Sequence, residues 1–293
     1  MEGVFAMVFL KHFILPSLYE EEIGNVMTHA YPYGIFPFKE LENIGFKSIT
    51  IFYGGNGSGK STLLNLIAEK LNLPRTTPFN SSSFFGQYVK TKCKYITDTD
   101  DDGLNLDIPL GSKIITSEDV FSHILTIRNE NSRINKNKAL QEQKYSEAKY
   151  NKIQFNSMND YERLRTQNAA KRQTQTSFVT DRVGRNIDQF SNGETALSYF
   201  DKQFQTNSLY LLDEPENSLS PKFQLQLSQL IVDCAYHCNC QFIIATHSPF
   251  ILSVEGAQIY DLDSIPVKVR NWYDLENVKI YFDFFKEYEE FFI

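Results

Sequence analysis

Nine consecutive residues, Gly54-Gly55-Asn56-Gly57-Ser58-Gly59-Lys60-Ser61-Thr62, hold the densest chemistry in this chain. Gly54, Gly59, Lys60 and Ser61 satisfy the spacing G-x4-G-K-[ST]. Glycines let a backbone wrap an anion and aim its N–H groups inward, and the helix that follows adds the positive end of its dipole. In such a loop Lys60 reaches the β- and γ-phosphates of a nucleoside triphosphate, and the Ser61 hydroxyl is a ligand for Mg²⁺. A second group lies in SLYLLDEPENSLSP, residues 208–221. Its apolar run delivers Asp213 to the carboxyl end of a strand, where a doubly wound sheet binds ligand. There Asp213 would hold Mg²⁺, and Glu214 would orient and polarise an attacking water. The third group is IIATHSPF, in which a β-branched run ends beside His247, placed to contact a γ-phosphate and sense its loss.

A fourth stretch, FSNGE at 190–194, is less specific. A serine hydroxyl and glycine N–H groups at a helix start make an anion site. Ser191 followed three residues later by Glu194 also fits an ordinary capping box. The residues alone leave both readings open.

The elements that must carry these groups can be read from periodicity. SITIFYGG is a strand feeding the glycine loop, and STLLNLIAEKLNL has apolar residues at 63, 64, 67, 68, 71 and 73, a helical spacing. FLKHFILP is read as a core strand over residues 8–15, and YPYGIFPF as a further short strand. Residues 74–110 are turn-rich, and KIITSEDVF is a strand ending in a polar turn. Residues 119–172 are long, polar and nearly free of Gly and Pro, which predicts a helical insertion. Beyond them we expect a helix over 194–204, a strand over 208–213, a helix over 221–237, strands over 241–246, 257–262 and 266–270, and a terminal amphipathic helix. Strands alternating with helices predict an α/β fold, a mainly parallel P-loop sheet with N-terminal antiparallel strands and an inserted helical lid. The whole chain, 1–293, is read as one ATPase domain with the lid at 119–185.

Bulk properties narrow the classes. A net charge of −7 argues against a protein that coats nucleic acid through bulk charge. The charge is uneven, however: residues 128–172 carry eleven Lys or Arg against five Asp or Glu. That basic segment is a candidate contact for DNA, or a solvated helical face. No apolar run approaches the ~20 residues of a membrane helix, so no membrane insertion is expected. The four cysteines lack the paired spacing of a zinc site and read as reduced structural residues, which fits a cytoplasmic protein. In TDTDDDGLNLD, Asp98, Asp100 and Asp102 mimic the front of a calcium loop, but Pro109 falls where its bidentate Glu belongs, so an acidic turn is the better reading.

Together the motifs resemble the ATP-binding-cassette (ABC) class of P-loop ATPases. YLLDEPENSLSP, QFIIATHSPFIL and YPYGIFPFKEL narrow the likeness to stand-alone ATPases of the AAA_21 type, related to the RecF, SMC and OLD-like ATPases. The resemblance covers most of the chain and is weakest over 75–185. It implies binding of ATP and Mg²⁺ and hydrolysis to ADP and phosphate. It assigns Gly54 through Thr62 to the nucleotide, Lys60, Glu214 and His247 to catalysis, and Ser61 and Asp213 to the metal. FSNGE takes the place of the signature turn, so Ser191, Gly193 and Glu194 would cap the γ-phosphate held by a second copy, with Ser218 and Leu219 crossing the seam. Glu118 stands where the class has a glutamine near Mg²⁺, with Gln87 as its rival. Tyr31, Tyr33, Phe36 and Phe38 are the candidates for stacking on adenine. The resemblance further implies a homodimer closed by ATP that drives or restrains an effector protein, in some relatives as antiphage defence. The alternatives are a DNA-associated ATPase of the repair and condensation branch and, less favoured, a transporter's nucleotide-binding subunit.

Overall fold

The structure is a computed structural model that describes residues 7–22, 30–100, 102–150, 161–183 and 191–292. Its chemistry is organised by a six-stranded sheet in the order β5-β6-β7-β3-β8-β9. The strands are β3 (Ile49–Tyr53), β5 (Lys113–Thr116), β6 (Leu209–Asp213), β7 (Gln241–Ala245), β8 (Gln258–Asp261) and β9 (Lys268–Arg270). The first five run parallel and only β9 is antiparallel. The apolar runs read from the sequence are buried on both faces, as a covered parallel sheet requires.

On one face, Phe52, Leu209, Leu211, Ile243 and Ala245 join Leu63, Leu64 and Ile67 of helix α2 (Lys60–Lys70) in a single core. The opposite face is aromatic. Tyr210 stacks on Phe242 with ring centroids 5.5 Å apart, and Phe204, just after helix α7 (Asn192–Gln203), meets both rings. Helix α8 (Pro221–His237) starts on Ser220 with Pro at its first position, where a missing N–H costs nothing.

A second sheet, β2-β1-β4, is antiparallel and is built from β1 (Leu10–Ile14), β2 (Asn43–Gly45) and β4 (Lys94–Thr97). Gln241, at the start of β7 and fully buried, fastens it to the parallel sheet. Its Oε1 accepts the N–H groups of Phe9 and Leu10 at 2.9 Å each, and its Nε2 donates to the carbonyls of Leu10 and Lys47.

Two sequence expectations are corrected. Residues 31–38 are not a strand: they form turns and a short 3-10 helix, Pro37–Lys39. Pro32, Gly34 at φ 78° and Pro37 break any extended run, and the aromatics pack locally instead, Tyr31 on Phe85 and Tyr33 on Tyr88. Residues 74–110 are more than turns, because they include helix α3 (Phe85–Lys92) and strand β4.

The chain divides into two compact units, 1–121 with 192–293 and 122–191. The long helix α4 (Ser117–Tyr150) contributes its first turn to the first. The second unit has its own small core. Tyr145 and Ala148 of α4, Ala170 of α5 (Tyr161–Arg172) and Phe178 and Val179 of α6 (Gln175–Val183) pack together. The lid residues 151–160 and 184–185, and Phe190 of the FSNGE turn, lie outside the described residues.

In the first unit, the terminal helix (Glu276–Glu287) exposes Ile280, Tyr281, Phe282, Phe284 and Phe285. Among the described residues no helix is long and apolar enough to cross a membrane. All four cysteines are free. Burial pushes the Cys93 and Cys234 thiols up to about 12, which leaves them as inert packing groups.

The Gln241 fastening is testable. Gln241→Met keeps the volume but strands the N–H groups of Phe9 and Leu10 in the interior, so we expect a loss of about 2–4 kcal/mol in urea unfolding. A loss below about 1 kcal/mol would show that the two sheets are held together by apolar packing alone.

Candidate nucleotide site

Register decides which residues meet. Across the parallel strands Thr116 lies opposite Asp213, Asp213 opposite Ala245, Ala245 opposite Phe52, and Tyr53 opposite Asp261. The loops leaving these strands therefore emerge along one edge. They carry Glu118, the Asp213–Glu214 pair, His247 and the glycine loop.

The glycine loop joins β3 to α2. Gly57 and Gly59 adopt left-handed backbone, at φ 81° and 99°. A Cβ on Gly54 would stand 2.6 Å from Ser58 Oγ, so the loop closes on itself only with glycine there. Lys60 is buried, and its Nζ donates to the carbonyls of Gly54 at 2.7 Å and Gly55 at 3.1 Å. Gly55 N–H donates to Asp263 Oδ2 at 2.7 Å, and Ser58 Oγ is buried without a hydrogen-bond partner among the described residues. Asn56, Gly57, Ser58, Gly59, Lys60, Ser61 and Thr62 line a cleft of about 260 Å³, closed by Ile35 and Glu214.

The two residues expected to hold Mg²⁺ meet: Ser61 Oγ donates to Asp213 Oδ1 at 2.9 Å. Burial raises the Asp213 carboxyl to about 6, and the nearby Glu214 and Glu118 push the same way, against the Ser61 hydrogen bond and Lys60. Glu118 itself is exposed in the first turn of α4. Its neighbour Asp119 is buried, accepting from Thr116 N, Thr116 Oγ1 and Thr77 Oγ1. The tight turn after β5 is thus held by Asp119, and Glu118 is left to face the Asp213 edge. Gln87 is exposed on α3.

Oxygen ligands beside a buried, charge-burdened carboxylate suit Mg²⁺. That ion is usually held through one or two carboxylates with substrate phosphates and water, not by an all-protein cage. Among the described residues no group of three or more His, Cys, Asp or Glu side chains could hold a metal ion.

Glu214 sits in left-handed backbone, φ 46° and ψ 54°, a conformation costing a non-glycine residue roughly 1–3 kcal/mol. Its Oε2 accepts from Asn217 Nδ2 at 3.0 Å, while Oε1 lies 3.8 Å from Lys60 Nζ and 3.9 Å from His247 Nδ1. The three residues assigned to catalysis from the sequence therefore converge on one carboxylate.

The signature-like turn opens α7. Ser191, Asn192 and Glu194 are exposed, whereas Gly193 is buried. A Cβ there would come within 2.3 Å of the Phe223 ring of α8, so the glycine is required by close packing. Of the aromatic candidates for adenine, Tyr31 hydrogen-bonds Thr62 at 3.2 Å and Phe36 is fully buried. Tyr33 packs edge-on to Tyr88, and Phe38 is exposed.

Two acids were missed in the sequence reading. Asp263, just past β8, grips the loop at Gly55, and Glu216, inside DEPE, is buried beneath His247. A third acid so close behind Glu214 was the available signal for Glu216. Asp263 carried none, since only the pairing of β8 with β3 brings it near.

A larger groove of about 940 Å³ runs on the far side of His247, walled by Phe250, Trp272, Phe282 and Phe285. It is apolar, whereas the smaller cleft is lined by the glycine loop.

Residues 116–253 match the AAA_21 family model, described as AAA domain, putative AbiEii toxin, Type IV TA system. The match begins at the end of β5 and closes after the His247 loop, so the phosphate loop rests on its own geometry. Among solved structures, similarity extends to a putative metal-chelate type ABC transporter in an inward-facing conformation. It is 16% identical, with 94% of this chain and 89% of that one covered and a TM-score of 0.40. A dimeric bacterial ABC transporter cassette, MJ0796, is also 16% identical, with 91% and 99% covered and a TM-score of 0.40. CbiO1 from Clostridium perfringens, part of an ABC transporter complex, is 16% identical, with 93% of each chain covered and a TM-score of 0.38. No curated protein matches the chain in sequence.

The Asp213 carboxyl predicts a pH dependence. Its folded-state value of about 6 exceeds the ordinary 3.8, so the folded protein holds this proton more tightly than the unfolded chain does. Stability must then fall as pH climbs from about 4 to about 6, and the cost is fully present above that window. Asp213→Asn, neutral throughout, is expected to melt several degrees above wild type at pH 7.5 in EDTA, with the gap closing below about pH 4. Equal melting temperatures at pH 7.5 would contradict a strained Asp213 charge.

With its glycine loop, acid pair and histidine ordered along one parallel edge, the chain carries a mainly parallel α/β fold, and its residues 116–253 match the AAA_21 family model.

Proposed function

We propose that the protein binds ATP with Mg²⁺, hydrolyses it to ADP and phosphate, and uses the cycle to drive or restrain a partner effector protein. The observation that supports this most strongly is the convergence at one strand edge. Lys60 and His247 approach Glu214 from opposite loops, beside the Ser61–Asp213 pair. Lys60 and the loop N–H groups bind the phosphates. Ser61 and Asp213 hold Mg²⁺, which supplies neutralisation of charge developing on the phosphate oxygens. Glu214 orients the water and takes its proton as it attacks in line, and His247 responds to the γ-phosphate. Asn217 pins one Glu214 oxygen, which leaves Oε1 on the side of Lys60 and His247.

Two copies would close head to tail around ATP. The exposure of Ser191, Glu194, Asn217 and Ser220 supports this reading; of the two residues expected to cross the seam, Ser218 is half-buried and Leu219 buried. Glu118 is the proposed water-mediated partner of the metal. The matched family's description as a putative AbiEii toxin of a type IV toxin–antitoxin system is consistent with an effector as the output, and a role in antiphage defence is part of the same proposal. A second reading, contact with DNA, is favoured by the excess of Lys and Arg over 128–172. It calls for a mobility shift on duplex DNA that weakens steeply with salt.

Glu214→Gln should keep ATP binding, lose turnover by at least about a hundredfold, and elute as a dimer with saturating ATP. Lys60→Ala should lose the nucleotide itself. A Glu214→Gln protein that elutes as a monomer under saturating ATP would overturn the shared site.

A further inference from the structure

Glu216 is a carboxylate that phosphate chemistry does not explain. It follows Glu214 by two residues and is 5% exposed. Its Oε1 accepts the Thr246 hydroxyl at 2.6 Å and the His247 backbone N–H at 3.0 Å, and lies 3.5 Å from His247 Nδ1. Its Oε2 is buried with no hydrogen-bond partner among the described residues. A half-satisfied buried carboxylate is a poor way to stabilise a core; an apolar side chain of the same size packs there at less cost.

The contacts continue into a closed circuit. Thr246 Oγ1 accepts from Ser248 N at 3.0 Å, and Ser248 Oγ donates to Gln224 Oε1 at 2.6 Å. Gln224 Nε2 donates to the Leu219 carbonyl at 2.9 Å, which returns the chain of bonds to the 213–220 turn where it began. The loop after β7 and the turn after β6 are thereby tied into one piece at the point where His247 faces Glu214.

We infer that Glu216 is a positioning residue: it fixes the His247 loop against the acid turn and sets the orientation of the imidazole. Glu216 and Glu214 both lie on the Nδ1 side of the ring, which leaves Nε2 for the triphosphate. The inference deepens the ATPase reading above and rests on it.

The test uses the full chain and four variants: Glu216→Ala, Thr246→Val, His247→Ala and the double variant Glu216→Ala/His247→Ala. Turnover is measured in single-turnover and steady-state ATPase assays, affinity with a fluorescent ATP analogue, and folding by melting temperature. Glu216→Ala is expected to lower kcat about ten- to a hundredfold and to leave the analogue's Kd within about threefold, while melting below wild type because the Thr246 hydroxyl and the His247 N–H lose their acceptor. Thr246→Val should lower kcat several-fold in the same pattern. The double variant should be no slower than His247→Ala alone, because the carboxylate acts through that ring.

Wild-type kcat in Glu216→Ala overturns the inference while the ATPase reading stands. So does a loss that multiplies with that of His247→Ala. Should Glu216→Ala not fold, Thr246→Val is judged by the same criteria. A wild-type protein that binds the analogue but turns over no ATP overturns the ATPase reading, and this inference with it.

Discussion

The structure depends on the parallel register of β5, β6, β7, β3 and β8. Parallel pairing with strand ends nearly level forces every outgoing loop to the same edge, whatever the distance between those loops in the chain. Residues 54, 118, 213, 247 and 263 become neighbours for that reason. The β-branched and leucine-rich strands are buried on both sides, so a slip in register would bury polar groups and is strongly resisted. Gln241 extends the same logic to the antiparallel sheet by spending one side chain on four backbone groups.

That edge concentrates negative charge. Glu118, Asp213, Glu214, Glu216 and Asp263 all come to it, and Lys60 is the cation buried among the loops. Mutual repulsion between Glu214, Glu118 and Asp213, added to burial, holds the Asp213 carboxyl above its ordinary value. The lysine is meanwhile held by the carbonyls of its own loop.

Much of this was readable from residues alone, because the strongest signals were local. The glycine loop has its strand and helix immediately on either side. Ser220-Pro221 marks the start of α8, and the acid pair and His247 each end an apolar strand. The less legible parts are long-range. Strand β4 exists because it pairs with β1, more than eighty residues away. Aromatic residues at 31–38 imitate a strand although Pro32, Gly34 and Pro37 forbid one. The short helix α3 is hidden in polar composition. Gly193, read as part of an anion-binding turn, also packs against the ring of Phe223 thirty residues on. Asp263 and Glu216 are single acids whose importance arises only from what the sheet brings beside them.

The left-handed backbone at Glu214 has an evolutionary consequence. Glycine, asparagine or aspartate would sit more comfortably there, so natural drift at this codon is pulled away from glutamate by the fold itself. Under the hydrolytic role proposed for Glu214, only continuing selection for turnover opposes that pull. A lineage that came to need nothing more than nucleotide-gated assembly would keep the glycine loop and the sheet, and would shed this one side chain first.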